Sequence, residues 1–248
     1  MFRIVFISIL LLLITACPIL AGEKEDLFNL AATYYASREY AGSAEAAVST
    51  LEKVLVIEPQ NYEALWKLSQ YYKWLGDKAP DENKLDYFEK GKTYAEEAIK
   101  VEPDKVEGHF WRGVHMGRTG EEKGILNSLF LVGPIKDEME KCIKIDPTFD
   151  EAYYVLGVLY RKAPSWPLSC GDIKKSKEEL LLAIKYNPNR LLSHLGLAET
   201  YINTGDYNEA REELNKVINL PFEPDRIPED KEYKSQAAQM LKEIEDKS

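Results

Sequence analysis

The sequence predicts an all-α fold, namely a right-handed α-solenoid of about five helix pairs with a C-terminal capping helix. One observation is a sequence motif that occurs four times. In each copy a helical segment ends at a proline, and a segment of apolar, small and aromatic residues follows. Another is the helical periodicity of apolar residues, which continues from Leu27 to the C-terminus. Because proline cannot continue a helix, each of these prolines is expected to close one helix pair, and they are Pro59, Pro103, Pro147 and Pro188.

The helix pairs can be placed in order along the chain. The first pair ends at Pro59, and its successors are expected over Tyr62–Pro103, Val106–Pro147, Phe149–Pro188 and Leu191 to about Pro221. A last, polar helix is expected from Asp230 to Asp246. Its apolar side carries Ala237, Met240, Leu241 and Ile244, and its other faces are charged, as a terminal cap requires.

Small residues and tyrosines recur at fixed positions on the first helix of each pair. A leucine and a small residue lie just before an aromatic residue in Leu68-Ser69 with Tyr72, Leu156-Gly157 with Tyr160, and Leu197-Ala198 with Tyr201. This pattern resembles the tetratricopeptide repeat, with Leu-Gly-x-x-Tyr on the first helix and Ala and Pro on the second. The first pair reads Leu30-Ala31 with Tyr34, and all four tyrosines are predicted to be core residues. Proteins built this way usually bind partners rather than catalyse reactions.

Three pairs are longer than the standard repeat of about 34 residues. The surplus residues lie at 76–94, 117–135 and 162–172, between the two helices of their pairs. Turns between first and second helices are predicted at Gly76-Asp77, Gly120 and Gly205-Asp206. Since insertions on one edge of a solenoid commonly build a shared surface, this edge is the first candidate for function.

Two of these insertions also suggest a family. The segments GHFWRGVHMGRTGEEKG (108–124) and APSWPLSCGDIKKSKEELLLAIKYNP (163–188) resemble the T-component of bacterial TRAP transporters and, equally, the regulators of microtubule dynamics. The transporter resemblance implies a tetratricopeptide fold that docks with a periplasmic substrate-binding protein. It also implies a hydrophobic ligand channel in the solenoid.

Residues 1–22 are predicted to be a signal peptide that precedes the repeat domain at 23–248. A basic start is followed by an apolar run from Ile4 to Ala16, which is too short for a membrane span of about 20 residues. Ile14-Thr15-Ala16-Cys17 resembles a lipoprotein box, in which Cys17 would be lipidated. Cleavage near Gly22 and an uncleaved anchor are the alternatives. The chain is therefore expected to be exported, to the periplasm or to a lipid anchor on an envelope membrane, and this favours the bacterial resemblance.

The charge and the motifs exclude several function classes. The formal net charge is −10, which repels nucleic-acid phosphates and lipid anions. No catalytic, cofactor-binding or metal-binding motif is recognisable, and a structural or surface role is expected for the three histidines. Cys142 is predicted to be a small buried filler, with a disulfide to Cys170 as the alternative.

The predicted function is a non-enzymatic scaffold that uses no cofactor. A general envelope-assembly scaffold and a solenoid that binds small hydrophobic ligands are the alternatives.

Six residues are candidates for a partner or ligand groove. Tryptophan and tyrosine are among the side chains that contribute most to binding at protein interfaces. Aromatic residues outside the repeated tyrosine positions are therefore candidates. Arg112 stands where other pairs have leucine, so its guanidinium needs a carboxylate or carbonyl partner, or a shifted helix packing that exposes it. An arginine that reads an anion in the groove is the alternative. For Trp66 and Trp74, packing against the insertion after Gly76 is the alternative. The candidate groove residues are Trp66, Trp74, Phe110, Arg112, Tyr154 and Trp166.

Overall fold

The structure is a computed structural model that describes residues 22–247, and within this range the fold is all-helical. The predicted signal peptide and the candidate lipidation site at Cys17 lie outside the described residues. A first helix, α1, covers residues 22–36. The helices after it are α2 (Ser43–Ile57), α3 (Tyr62–Lys78), α4 (Asp81–Val101), α5 (Val106–Lys123), α6 (Ile125–Ile145), α7 (Asp150–Lys162), α8 (Ile173–Tyr186), α9 (Leu191–Thr204), α10 (Tyr207–Asn219) and α11 (Ile227–Glu243), with a short 3-10 helix at Pro224–Arg226 before the last.

Helices that follow each other in the chain pack as hairpins. The pairs α3 with α4, α5 with α6, α7 with α8, and α9 with α10 make the most extensive contacts. The chain forms two compact units, the first ending at Pro103 and the second beginning at Asp104. In the first unit α2 also packs on α3, and in the second α6 packs on α7 and α8 on α9. The predicted order of helix pairs is confirmed.

The core of the first unit corrects one part of the tyrosine prediction. Tyr35, rather than Tyr34, stacks on Tyr71 of α3, with ring centroids 3.8 Å apart. Tyr34 remains 37% exposed, so its assignment to the core was wrong. Ala31 and Tyr35 are four residues apart and share the face of α1 that meets α3, whereas the side chain of Tyr34 is turned by about 100° from that face. In the other pairs Tyr72 and Tyr160 are buried as predicted, whereas Tyr201 is only partly buried against the core of its unit.

The predicted turns are correct at one position and wrong at two. Gly205 ends α9 with a positive φ of 81°, as expected for the residue after a helix. Gly76-Asp77 and Gly120 instead lie inside α3 and α5. The surplus residues there lengthen α4 and α6 to 21 residues each. A Cβ atom on Gly76 would lie 2.3 Å from Cε1 of Phe88, so this glycine permits close packing of two helices and makes no turn.

The last helix closes the second unit as a cap. Ala237 and Ile244 of its apolar side are buried together with residues of α9 and α10, among them Leu195 and Leu214. Arg211 of α10 donates a 2.7 Å hydrogen bond to the carbonyl of Ile244 at the end of the cap. The predicted capping helix is therefore confirmed. Among residues 22–247, no helix combines the length and the apolar character needed to cross a membrane.

Candidate protein-interaction surface

One insertion, residues 163–172, forms a compact loop whose base is fixed by backbone hydrogen bonds. The amide of Gly171 donates to the carbonyl of Pro164 at 2.9 Å, and the amide of Asp172 donates to that of Tyr160 at 2.9 Å. An isolated β-bridge joins Ser165 to Gly171. The two ends of the loop are thus held side by side at the C-terminal end of α7.

Gly171 and Asp172 explain why the loop closes in this way. A Cβ atom on Gly171 would lie 2.0 Å from the carbonyl oxygen of Ala163, so only glycine fits where the two ends of the loop meet. The Oδ1 atom of Asp172 accepts hydrogen bonds from the amides of Lys174 at 2.9 Å and Lys175 at 3.1 Å. Asp172 therefore caps α8 and fixes the exit of the loop.

The loop and the start of α6 expose large apolar side chains to solvent. Trp166 is 84% exposed and Leu168 is 72% exposed. On α6, the exposed fractions are 82% for Ile125, 71% for Leu126 and 81% for Phe130. Isolated exposed apolar residues are ordinary, but clustered ones mark interaction sites. The name insertion edge is used below for these five residues, Ile125, Leu126, Phe130, Trp166 and Leu168.

The start of α6 is positioned by a one-residue connection. Gly124, with a φ of 87°, ends α5 and begins α6 directly. The carbonyl of Gly124 accepts the amide of Ser128 at 3.0 Å, which completes the first helical turn. Leu126 and Phe130 are four residues apart, hence on one outer face, while Val132 and Ile135 are buried on the other side. The outward apolar face is therefore a fixed part of the helix.

An ion pair places the two parts of the insertion edge at the same end of their hairpins. Lys162, the last residue of α7, lies 2.7 Å from the carboxylate of Glu121 near the end of α5. The exposed segments begin directly after these helix ends. On α6, a hydrogen bond to Glu140 and the charge of that carboxylate raise the pKa of Lys136. The ion pair between Lys162 and Glu121 thus holds the C-terminal ends of α5 and α7 together at this edge.

The charge around the insertion edge differs from the charge of the whole chain. In the segments 117–136 and 161–178 basic residues outnumber acidic ones two to one, although the chain as a whole carries a formal charge of −10. Lys174 is 87% exposed, and Lys175 is also exposed. The insertion edge is therefore an apolar surface with a basic border.

The two tryptophans predicted for the groove in the first unit differ in access. Trp74 is only 5% exposed, and its Nε1 donates to the carbonyl of Arg38 at 3.2 Å. Its ring also contacts the guanidinium of Arg38, which lies 5.2 Å from the ring centroid. Trp66 is half-buried, with the Lys67 ammonium 5.5 Å from its ring. Trp74 is thus part of the packing of α3, while Trp66 keeps an accessible edge.

The candidates on the first helices of the second unit are also held by neighbours. Phe110 is 6% exposed and packs edge-on against Trp111 and Phe149, at centroid distances of 5.0 and 5.3 Å. Arg112 forms an ion pair with Glu138 of α6. A carboxylate was one of the partners expected for a guanidinium between helices.

Tyr154 occupies the junction between α7 and α9. A Cβ atom on Gly196 would lie 3.0 Å from Cε2 of Tyr154, so the ring rests directly on the backbone of α9. Burial raises the pKa of Tyr154, as expected for a phenol surrounded by protein. Of the four predicted groove residues in this unit, Trp166 alone has a mostly exposed side chain.

Sequence reasoning missed Ile125, Leu126, Phe130 and Leu168. The signal for the first three was the apolar tract ILNSLFLVGPI (125–135), which has more apolar residues than one helix face can bury. Leu168 lies in the same insertion as Trp166. No sequence pattern indicates that the side chain of Leu168 is exposed, because its exposure depends on how the loop folds.

The histidines and cysteines of the described residues form no metal-binding cluster. Among residues 22–247, no group of His, Cys, Asp and Glu side chains is arranged to hold a metal ion. His109 and His194 are each hydrogen-bonded to one glutamate within their helix pair. Cys142 and Cys170 are free thiols, so the alternative of a disulfide between them was wrong.

Comparisons with known proteins agree with this architecture. Residues 30–165 match the family described as regulator of microtubule dynamics protein 1-3, and residues 193–223 match the tetratricopeptide repeat. The chain is 24% identical to the bovine (Bos taurus) regulator of microtubule dynamics protein 1 over 208 residues, covering 77% of this chain and 64% of that protein. It is 25% identical to the rat (Rattus norvegicus) protein 3 over 173 residues, covering 63% of this chain but only 36% of that protein.

A solved structure shows the same fold. The tetratricopeptide protein TTC0263 of Thermus thermophilus superposes with a TM-score of 0.70 at 17% identity, covering 88% of this chain and 98% of that one. The tetratricopeptide-like solenoid class predicted from the sequence is thereby confirmed. Solenoids of this type commonly present extended surfaces for binding partners.

Proposed function

This chain belongs to the regulator of microtubule dynamics protein 1–3 family, and we propose that it is a non-enzymatic scaffold that binds a partner protein through the insertion edge. The observation that carries the proposal is the exposure of Trp166 and Leu168 on a loop whose ends are fixed by hydrogen bonds. A loop whose ends are already fixed loses less backbone entropy when a partner covers its side chains.

The contacts of the other candidates support this choice of surface. Phe110 and Trp74 are already covered by protein, and the guanidinium of Arg112 is paired with Glu138. The insertion edge, in contrast, has five large apolar side chains that are each more than 70% exposed. Burying them would remove far more apolar surface from water than any contact with the three covered residues.

The finer proposal concerns location and partner. The basic start and apolar run of residues 1–22 support export, and the resemblance of 108–124 and 163–188 to the TRAP T-component supports a periplasmic substrate-binding protein as partner. The curated relatives are named for microtubule dynamics, so tubulin is the second partner class. Mass spectrometry of the native protein separates the two. A mature chain without at least residues 1–16 supports export, and an intact Met1 contradicts it.

Site-specific photo-cross-linking tests the proposed surface. A photoreactive amino acid replaces Phe130 or Leu168 in the full chain, expressed in its native host. The matched control replaces Val56 of α2, which is 83% exposed and lies in the first unit. We expect the same protein partner to be cross-linked from positions 130 and 168 and not from 56. Equal cross-linking from all three positions, or none from 130 and 168, would contradict the proposal.

A further inference from the structure

Two lysines at the start of α8 oppose the helix dipole. The first turn of α8 contains no acidic residue, and Lys174 and Lys175 lie in it. The N-terminal end of a helix carries partial positive charge, so lysines there are unfavourable and carboxylates are preferred. Lys174 is 87% exposed, and its nearest carboxylate, that of Glu178, is 3.8 Å away. The Lys175 ammonium lies 5.6 Å from the ring centroid of Tyr160, and both lysines remain exposed to solvent despite these local contacts.

These lysines lie next to the exposed apolar loop. The bridge between Ser165 and Gly171 holds the residues before Trp166 beside the residues before α8. Asp172 then connects the loop to the first turn of α8 through its cap hydrogen bonds to Lys174 and Lys175. The basic border of the insertion edge is therefore fixed relative to Trp166 and is a built feature of the surface.

We infer that the insertion edge accepts an acidic amphipathic segment of a partner protein. Apolar side chains of that segment cover the five residues of the insertion edge, and its carboxylates pair with Lys174 and Lys175. Amphipathic segments are commonly recognised through apolar anchors flanked by complementary charges. This inference rests on the proposed function and adds the chemistry of the partner.

Two other occupants fit the charges less well. Anionic lipid surfaces are typically bound by clusters of about four to eight basic residues, whereas near the insertion edge Lys162 and Lys136 are already paired with Glu121 and Glu140. A second copy of this chain would bring the same basic border to the contact. An acidic protein segment is favoured by both the local charge and the apolar area.

A pair of designed peptides tests the inference on the full-length protein. Both are 18-residue, fluorescein-labelled helix formers with one leucine stripe, and their polar faces carry either glutamate or lysine. Fluorescence anisotropy at low and at physiological salt gives the two dissociation constants. The net charge of the chain attracts the lysine peptide, so a preference for the glutamate peptide can come only from a local basic surface.

We expect the glutamate peptide to bind at least about 10-fold more tightly than the lysine peptide. The double variant Trp166→Ala with Leu168→Ala should weaken that binding by about 10-fold or more. The variant Lys174→Glu with Lys175→Glu should reverse the preference. Its melting temperature should change little, because glutamate favours the helix N-terminus while its repulsion from Glu178 and Glu179 opposes this. Lys141→Glu with Lys144→Glu, the same charge change at the far end of α6, is the control and should leave the dissociation constants within about 2-fold.

Different failures have different meanings. Equal binding of both peptides, or a preference that survives Lys174→Glu with Lys175→Glu, overturns the acidic partner. If Trp166→Ala with Leu168→Ala still weakens both peptides, the insertion edge remains the docking surface and the proposed function stands. If neither peptide binds and the chain co-sediments with phosphatidylglycerol vesicles through Trp166, the surface is a lipid contact and the inference is overturned. Cross-linking to protein from positions 130 and 168 then decides the proposed function separately.

Discussion

His109 and Glu138 form a buried hydrogen bond across the α5–α6 hairpin, with His109 Nδ1 2.8 Å from Glu138 Oε2. His109 is 1% exposed and Glu138 is 8% exposed. The other oxygen of the carboxylate pairs with Arg112. A buried carboxylate is tolerated only when its partners compensate for lost water, so these three side chains form one structural unit.

The same arrangement recurs in the α9–α10 hairpin. His194 Nδ1 lies 2.5 Å from Glu213 Oε2, and Lys216 pairs with the other carboxylate oxygen at 2.7 Å. The second ring nitrogen of His194 lies 3.0 Å from the carbonyl of Pro188. Histidine thus links the proline turn to the second helix of the hairpin, which is a structural role.

Removal of the Glu138 carboxylate should destabilise the second unit strongly. In Glu138→Ala the buried His109 and the half-buried Arg112 lose this carboxylate, and we expect the free energy of unfolding to fall by about 3 kcal/mol. Glu140→Ala is the control, because Glu140 is exposed and pairs with Lys136 on the helix surface, where a change below about 0.5 kcal/mol is expected. Urea denaturation followed by circular dichroism measures both. Equal losses in the two variants would contradict the structural role.

Acid should remove this stabilisation. Burial raises the pKa of Glu138, but the hydrogen bonds of His109 and Arg112, together with the charge of Arg112, outweigh it and hold the pKa below 4.5. In the unfolded chain the pKa returns to its ordinary value. The contribution is therefore present above pH 4.5 and is lost as the pH falls through the folded-state pKa. The difference in unfolding free energy between wild type and Glu138→Gln should shrink between pH 6 and pH 3. A constant or growing difference would show the opposite sign of shift.

Close packing at one glycine gives a second test of the hairpins. A Cβ atom on Gly157 would lie 2.5 Å from Cγ of Leu180 and 3.2 Å from the carbonyl oxygen of Ser176. Gly157→Ala should cost about 1–3 kcal/mol, although alanine is the better helix former by about 1 kcal/mol. Gly117→Ala is the matched control, because the nearest atom to its Cβ would be Ile135 Cδ1 at 3.9 Å, and it should be neutral or stabilising. A stabilised Gly157→Ala variant would mean that α7 and α8 are farther apart.

The hairpin architecture could be predicted from sequence because prolines and helical periodicity are local signals. Which of the adjacent residues Tyr34 and Tyr35 faces the core could not be predicted. Both fit the repeat pattern, and only the position of Tyr71 selects between them. Likewise Gly76 and Gly120 carry the usual turn signal, yet close helix contact also selects glycine. Tertiary packing decides between these two uses.

Adjacent tyrosines of α1 provide a test of this correction. Tyr35→Ala removes a stacked contact with Tyr71 and the contact with the Arg38 guanidinium, 4.4 Å from its ring. Tyr34→Ala removes a more exposed ring. We expect Tyr35→Ala to lower the free energy of unfolding by at least about 1 kcal/mol more than Tyr34→Ala. Thermal and urea melts of the two variants measure the difference, and the reverse order would restore the original assignment.

The two free thiols should differ in reactivity. Cys142 is fully buried, and burial raises its pKa to about 12, so little thiolate exists at neutral pH. Cys170 is only half-buried in the loop. Iodoacetamide at pH 8, followed by peptide mass spectrometry, should label Cys170 in the native protein and Cys142 only after unfolding in urea. Native labelling of Cys142 at the rate of Cys170 would contradict the burial.

The candidate surface could be predicted only in part. Trp166 was identified because its insertion has no place in the repeat, and that argument does not depend on packing. Phe110 and Trp74 fit the same expectation of surplus aromatic residues, but neighbouring rings and a backbone carbonyl cover them. The exposure of a side chain depends on segments that are distant in the sequence, so helical periodicity alone does not predict which aromatic residues are exposed.

The most direct test of the central claim separates partner binding from stability. The double variant Trp166→Ala with Leu168→Ala and the single variant Trp74→Ala are compared by quantitative capture of the cross-linked partner and by thermal melts. The account predicts that the double variant loses at least about 10-fold in capture with a nearly unchanged Tm, because its side chains are exposed. Trp74→Ala should lower the Tm instead, because it removes a buried ring. Full capture by the double variant, or loss of capture only in proportion to unfolding, would contradict the proposal that the insertion edge binds the partner.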